Sequence, residues 1–304
     1  MEQMFPKSNI SYLGNILHEV RNQELTQEIR LSDGMPDIGR VLASWGMPVI
    51  RGKEWRSDAV AVTGGVMLWV LYMPEDGTDP RCVENWIPFQ MEWDIPDVER
   101  EGQIRVQPLL RFVDARGVSA RKLMVRANVG IMGQALEQTQ TDIYQPGELP
   151  EQVYALNRNY PVTLPVEAGE KLLNLEDSMM LPAGVERILA CQVRPVLSEQ
   201  NVLAGRVLVR GTAFADLVCL GADGKVFPQT MELPFAQYAD LEREYNKDAS
   251  AEVTMAVSNL EPELAESHNP LRCLRASFRE EYQLTHRDLL GSLMGMGIVR
   301  EKVG

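Results

Sequence analysis

Apolar and polar positions alternate with a period of two along most of the chain, so strands dominate the reading. Val62, Gly64, Val66, Leu68, Val70 and Tyr72 fall on one side of a long segment, and Met67, Trp69 and Leu71 fall on the other. A strand apolar on both faces belongs between two layers. Val207, Val209, Gly211, Ala213, Ala215 and Leu217 form its counterpart further on. Asp76-Gly77 and Asp223-Gly224 are hairpin signals, because glycine takes positive φ at little cost. More strands are expected through Cys82–Phe89 and Ile104–Leu110. A closing pair turns at Ala115-Arg116-Gly117 and returns through Leu123, Val125, Ala127, Val129 and Ile131.

Two places carry a helical spacing instead. Ser8 stands ahead of Ile10, Leu13, Leu17 and Val20, which suits a short capped helix. Ser32 or Asp33 stands ahead of Pro36, with Ile38, Val41 and Leu42 on one face, and the spacing predicts a second short helix there. Pro182 with Val185, Ile188 and Leu189 predicts the same element again.

That recurrence extends over the whole chain. Pro36-Asp37-Ile38-Gly39-Arg40-Val41-Leu42-Ala43 answers to Pro182 through Ala190. Val62-x-Gly64 answers to Val209-x-Gly211, Ile87-Pro88-Phe89 to Leu233-Pro234-Phe235, and Arg126-Ala127 to Arg275-Ala276. The offset of 146 to 149 residues marks a tandem duplication. The expected fold is all-β: two tandem β-sandwich or open-barrel domains, each opening with a short helix. The expected division is a leader at 1–25, a first domain at 26–140, a Pro-rich linker at 141–168, a second domain at 169–288 and a tail at 289–304. Gly64 and Gly211, inside apolar strands, mark a bulge or a close backbone approach. With Pro36, Pro182, Gly77, Gly224, Phe89 and Phe235 they are the structural residues of the repeat.

The shared positions are scaffold types, which favours a non-enzymatic interaction or assembly module. A kinase-like His286-Arg287-Asp288 lacks the asparagine that would hold a metal, since position 293 is Leu. His18, His268 and His286 stand at no metal-ligand spacing. Cys82, Cys191, Cys219 and Cys273 form no paired motif, and buried free thiols in a reducing, cytoplasmic setting are expected. No catalytic, metal or cofactor residue is assigned. Among the many carboxylates, Glu54 and Glu92 are the candidate pair for glycoside chemistry. A formal charge of −13 argues against nucleic acid and anionic membranes. No apolar run spans a bilayer, so no membrane insertion is expected.

One asymmetry remains. All five tryptophans, Trp45, Trp55, Trp69, Trp86 and Trp93, lie in the first repeat. The second has Gln192, Val202, Asp216, Glu232 and Ala239 at or near those positions. A core that manages with Asp or Glu does not need Trp, so the five are candidate partner-contact residues; equally, the first domain buries larger groups, as the small Ala239 opposite Trp93 allows, and core and surface both stay open. The alternative is a carbohydrate-binding or carbohydrate-processing face built from the same rings, and homo-oligomerisation stays open.

Read together, Met35-Pro36-Asp37-Ile38-Gly39-Arg40-Val41-Leu42, Val66–Tyr72, Pro74-Glu75-Asp76-Gly77, Ile87-Pro88-Phe89 and Ser119–Ala127 resemble the SPOCS domain family of endospore-forming Firmicutes. The resemblance spans roughly residues 25–285 and is looser in the second repeat. It implies a sporulation role in spore coat morphogenesis, with protein partners in the spore envelope, on the mother-cell side. It implies no catalytic residues. The LysM segment that ends the best-known family context has no counterpart here.

Overall fold

The computed structural model describes residues 7–96, 101–144, 154–156, 159–160, 163–182, 184–245, 249–262, 271–286, 293–294 and 297–299. It is all-β, and no helix occurs among the described residues. None is therefore long and apolar enough to cross a membrane.

The first half contains β1 (Lys7–Arg30), β2 (Ile38–Trp55), β3 (Ala59–Pro74), β4 (Arg81–Asp94), β5 (Gln103–Ser119) and β6 (Lys122–Tyr144). They form two antiparallel three-stranded sheets, ordered β2-β3-β4 and β1-β6-β5. After the short β7 (Tyr154–Leu156) and β8 (Asn159–Tyr160), the second half repeats the plan. Its strands are β9 (Leu164–Met180), β10 (Val185–Leu203), β11 (Arg206–Gly221), β12 (Val226–Asp240), β13 (Ser250–Pro262) and β14 (Leu271–His286). Its sheets are β10-β11-β12 and β13-β14-β9. From the tail, β15 (Leu293–Met294) pairs with β8 and β16 (Gly297–Val299) with β7.

The duplication reaches into the irregularities of the pairing. In β2, Gly39, Leu42 and Arg51 are skipped in the register with β3. In β10, Glu186, Leu189 and Ser198 are skipped against β11, each 147 residues later. Arg111 in β5 and Ser258 in β13 repeat that offset, and Ile16 in β1 answers to Val166 in β9. A bulge leaves one residue unpaired and bends its strand. Five bulges at matching places are a stronger mark of common descent than the scattered identities.

These bulges also correct the expected helices. Ile38 pairs with Pro74 and Val41 with Tyr72, partners two residues apart and so on the same face of β3. The extra residue at Gly39 turns a period of two into a spacing of three. Helical periodicity is thereby imitated by a bulged strand, at Pro36 and again after Pro182. The leader misleads the same way. Ile10 and Leu17 come to one face across the bulge at Ile16, which Leu25 and Ile29 continue, while Leu13 is buried on the other side of the strand. Residues 8–20 are strand, and β1 pairs along β6 as a full member of the first half. The closing turn also sits later than expected, at Ala120-Arg121, because β5 continues to Ser119 past a register shift after Gly117. Arg121 then ties down the loop before β2, donating to Ser32 O (2.8 Å), Met35 O (3.1 Å) and Asp37 Oδ1 (2.7 Å).

The first core lies between the two sheets of its half. Val60, Val62, Val66, Leu68, Val70 and Tyr72 of β3 face Leu123, Val125, Ala127, Val129 and Ile131 of β6. Gly64 and Gly211 have the same task. A Cβ at Gly64 would strike Val49 O and come within 2.8 Å of Phe89 Cζ. At Gly211 it would strike Val196 O and come within 2.6 Å of Phe235 Cζ. Each aromatic ring lies over its cross-strand glycine. Gly77 (φ +72°) and Gly224 (φ +75°) hold the hairpin turns. Tyr72 OH donates to Pro36 O at 2.9 Å, which anchors the loop before β2 to the central strand.

Candidate interaction face

The odd residues of β3 leave the first core and point the other way. With their neighbours on β2 and β4 they build an outer face in cross-strand rows: Trp45–Trp69–Glu84, Met47–Met67–Trp86 and Val49–Gly65–Pro88. Trp45 and Trp69 stack with centroids 6.5 Å apart at 21°. Trp69 is 1% exposed, and its indole Nε1 donates to Glu84 Oε2 at 2.9 Å. The ring is thus buried while its polar edge reaches a carboxylate at the rim. Arg51 lies over Trp86 at 5.3 Å.

This face is covered by the second half. Met47, Val49 and Trp69 belong to one hydrophobic cluster with Cys191, Val193, Val253 and Val257, and Trp45, Met67, Cys82 and Trp86 pack against it. Leu71 meets Leu189 and Leu220. Polar links close the seam. Gln192 Nε2 donates to Gly46 O (3.4 Å) and Arg51 to Ser258 O (2.9 Å), while Lys53 is oriented from within its own half by Ile104 O (2.7 Å). The Lys53 ammonium also lies 2.5 Å from Glu170, and Arg105 lies 3.5 Å from Glu252.

The five tryptophans therefore divide. Trp45, Trp69 and Trp86 come together at the seam between the halves. Trp93 is fully buried in the first core, where Gly133 makes room for its ring. Trp55 packs against the same core from the end of β2, beside Gly102. Between Met35, Arg81 and Cys82 of the first half and Arg187 and Leu189 of the second, the seam leaves a cavity of about 310 Å³ with no tryptophan in its lining; beside the rings it leaves one of about 40 Å³, lined by Met47, Met67, Trp69, Cys191 and Leu260 among others. The smaller one holds roughly one water rather than a sugar, which needs several hundred cubic ångströms.

The matching face of the second half reads quite differently: Gln192–Asp216–Thr230, Arg194–Phe214–Glu232 and Val196–Thr212–Pro234. Thr230 Oγ1 donates to Asp216 Oδ1 at 2.9 Å, where the first half has Glu84 and Trp69. Arg194 lies over Phe214 at 5.2 Å. Gln192 at one edge and Val218 and Leu220 further along β11 meet the first half; the rest of this side is open, with the polar composition of a solvated sheet face.

Glu54 and Glu92 flank Ala61 on neighbouring strands, but Arg56 stands between them, 2.8 Å from Glu54 and 2.9 Å from Glu92. The hydrogen bond from Arg56, with its charge, holds the Glu54 carboxyl below the ordinary range. A glycosidase acid needs the opposite shift. Cys82 and Cys191 sit at the seam, and burial pushes both thiols up to about 12, helped by Glu84 and Asp216 respectively. Cys82 and Cys191 are free thiols. No group of three His, Cys, Asp or Glu among the described residues gathers to hold a metal. His268, Arg287 and Asp288 lie outside the described residues, as do the side chains of Cys273 and His286.

One functional group escaped the sequence reading. Glu167, almost fully buried, accepts from Glu242 N (3.0 Å) and Tyr245 OH (2.9 Å) and so fastens the acidic 240–245 segment of the second half. Leu17 holds the equivalent place in the first half, and only that difference hinted at it. No family model, curated protein or solved structure matches the chain.

Proposed function

We propose that the chain is a non-enzymatic protein-interaction module of two β-sandwich domains, working in spore envelope assembly on the mother-cell side. The observation that carries this reading is the division between what the halves share and where they differ. Bulges, glycine–phenylalanine pairs and turns are common to both, whereas the outer sheet faces have diverged, one to grip its sister and one to meet solvent. A fold that has already evolved one protein-binding face from its scaffold is suited to present others. The SPOCS-like motifs supply the spore context. The carbohydrate alternative draws little support from the tryptophans, since of the three that gather Trp69 is buried and Trp45 and Trp86 are half-buried against the second half.

A pull-down from sporulating cells with the full chain as bait tests it. An envelope protein should be recovered, and equally well with Glu54→Gln and Glu92→Gln. Turnover of a glycoside, ester or nucleotide that those substitutions abolish would refute the reading.

A further inference from the structure

The seam between the halves joins two different surfaces. The first half offers the outer face of β2-β3-β4 and, beside it, Arg105 of β5, which meets its own counterpart Glu252. The second offers the β13 side of its other sheet, through Glu170, Glu252, Ala256 and Ser258. Such a contact is heterologous, and a heterologous contact leaves one unused surface of each kind. The unused receiving face is that of β10-β11-β12. The unused docking face is the outer side of β1-β6-β5, in rows Val20–Met132–Gln107, Asn22–Gly130–Leu109 and Glu24–Asn128–Phe112.

That docking face is mixed, with large apolar residues standing open among polar ones. Leu109 is 59% exposed, Val20 52% and Phe112 42%. Leu109 stands where the second half has Ala256, which is buried against the first half, and Phe112 stands where it has Asn259. The bulges add a polar match. In the seam, Arg51 on the receiving side donates to the carbonyl of Ser258 on the docking side. On the two unused surfaces the residues are exchanged: Ser198 is the receiving bulge and Arg111 the docking one. The arginine changes sides and the Arg–Ser pairing survives. Asp216 and Glu232 on the open receiving face supply further negative charge towards Arg111, with Phe214 and Val196 as the apolar part.

We propose that these surfaces bind each other between molecules, so that copies of the chain associate head to tail, first half of one upon second half of the next. The contact is reversible. A face that must stay soluble when empty keeps a mixed composition, and non-obligate interfaces are about as apolar as ordinary surface. This goes beyond the assembly reading above. A chain that self-associates without recruiting envelope proteins upholds it, and a strictly monomeric chain that recruits them overturns it alone.

Sedimentation velocity of the full chain decides. The average mass should climb with concentration past that of two chains, with no closed limit. Leu109→Glu, on the docking face, and Asp216→Arg, on the receiving face, sit at open positions, and each should leave a monomer. Mixed in equal amounts, the two variants should form a dimer and stop, because one retains each surface. Circular dichroism identifies any variant that misfolds; Phe112→Glu and Glu232→Arg then take its place. A monomeric wild type, association that survives either substitution, or a mixture that stays monomeric would each overturn the proposal.

Discussion

The outer faces of β2-β3-β4 and β10-β11-β12 occupy the same place in the same scaffold and share almost no chemistry. Trp69 is buried where Asp216 is wet, Met47 stands where Arg194 does, and Trp86 where Glu232 does. Even a hydrogen bond is kept with its direction reversed: Trp69 donates across the sheet to Glu84, and Thr230 donates back to Asp216. The inner faces diverge less, by exchanges such as Trp93 and Gly133 for Ala239 and Tyr282. What a duplicated strand must bury on its inner face is dictated by its own domain; its outer face answers to whatever lies opposite. For Trp45, Trp69 and Trp86 the asymmetry is therefore the imprint of a neighbour, and for Trp93 and Trp55 it is a matter of core volume.

The comparison can be broken first at the seam thiols. With the Cys82 and Cys191 thiols held near 12, their thiolate fraction at neutral pH is about a thousandfold below that of an ordinary cysteine. Residue-resolved alkylation should be slower than for an unfolded control by at least that factor. Labelling at the unfolded rate would mean an open seam.

Exchanging residues between the faces comes next. Trp69→Asp places a carboxylate in a dry contact beside Glu84, and urea unfolding should show a loss of about 3–5 kcal/mol. The reverse change, Asp216→Trp, falls on an open face and should shift stability by no more than about 0.5 kcal/mol. Equal effects would erase the distinction between the two faces.

The first core offers a volume exchange. Trp93 lies against Gly133, and the equivalent positions read Ala239 and Tyr282. Trp93→Ala should cost about 3–4 kcal/mol through the cavity it leaves. Adding Gly133→Tyr should recover part of that in a double-mutant cycle.

The shared scaffold should respond alike in both halves. Gly64→Ala and Gly211→Ala each push a Cβ into a carbonyl oxygen and a phenyl ring, and each should cost roughly 1–3 kcal/mol in the unfolding midpoint. A loss confined to one half would show that the glycine–phenylalanine pair is not a common device.

Much of this was legible in the chain. The duplication, the central strand apolar on both faces, the Asp-Gly turns and the tight glycines follow from local rules that one repeat restates for the other. The helices were misread because a bulge puts an extra residue into a period of two, and three or four residues between apolar positions then look helical. No side-chain type announces a bulge at Gly39, Leu42 or Ile16. The seam was half legible: the tryptophans marked a contact, but a contact between halves and one with a separate partner leave the same signature in sequence. Glu167 was invisible because a lone Glu in a strand is ordinary until its acceptors and donors are brought together by the fold.

Hydroxyl-radical footprinting of the intact chain, read residue by residue by mass spectrometry, tests the covered face most directly. Trp69, Met47 and Trp93 should be protected, while Tyr238, which lies open, should oxidise readily. If Trp69 and Met47 instead react as fast as Tyr238 while Trp93 stays protected, the first half is folded but its outer face is bare, and the second half does not cover it.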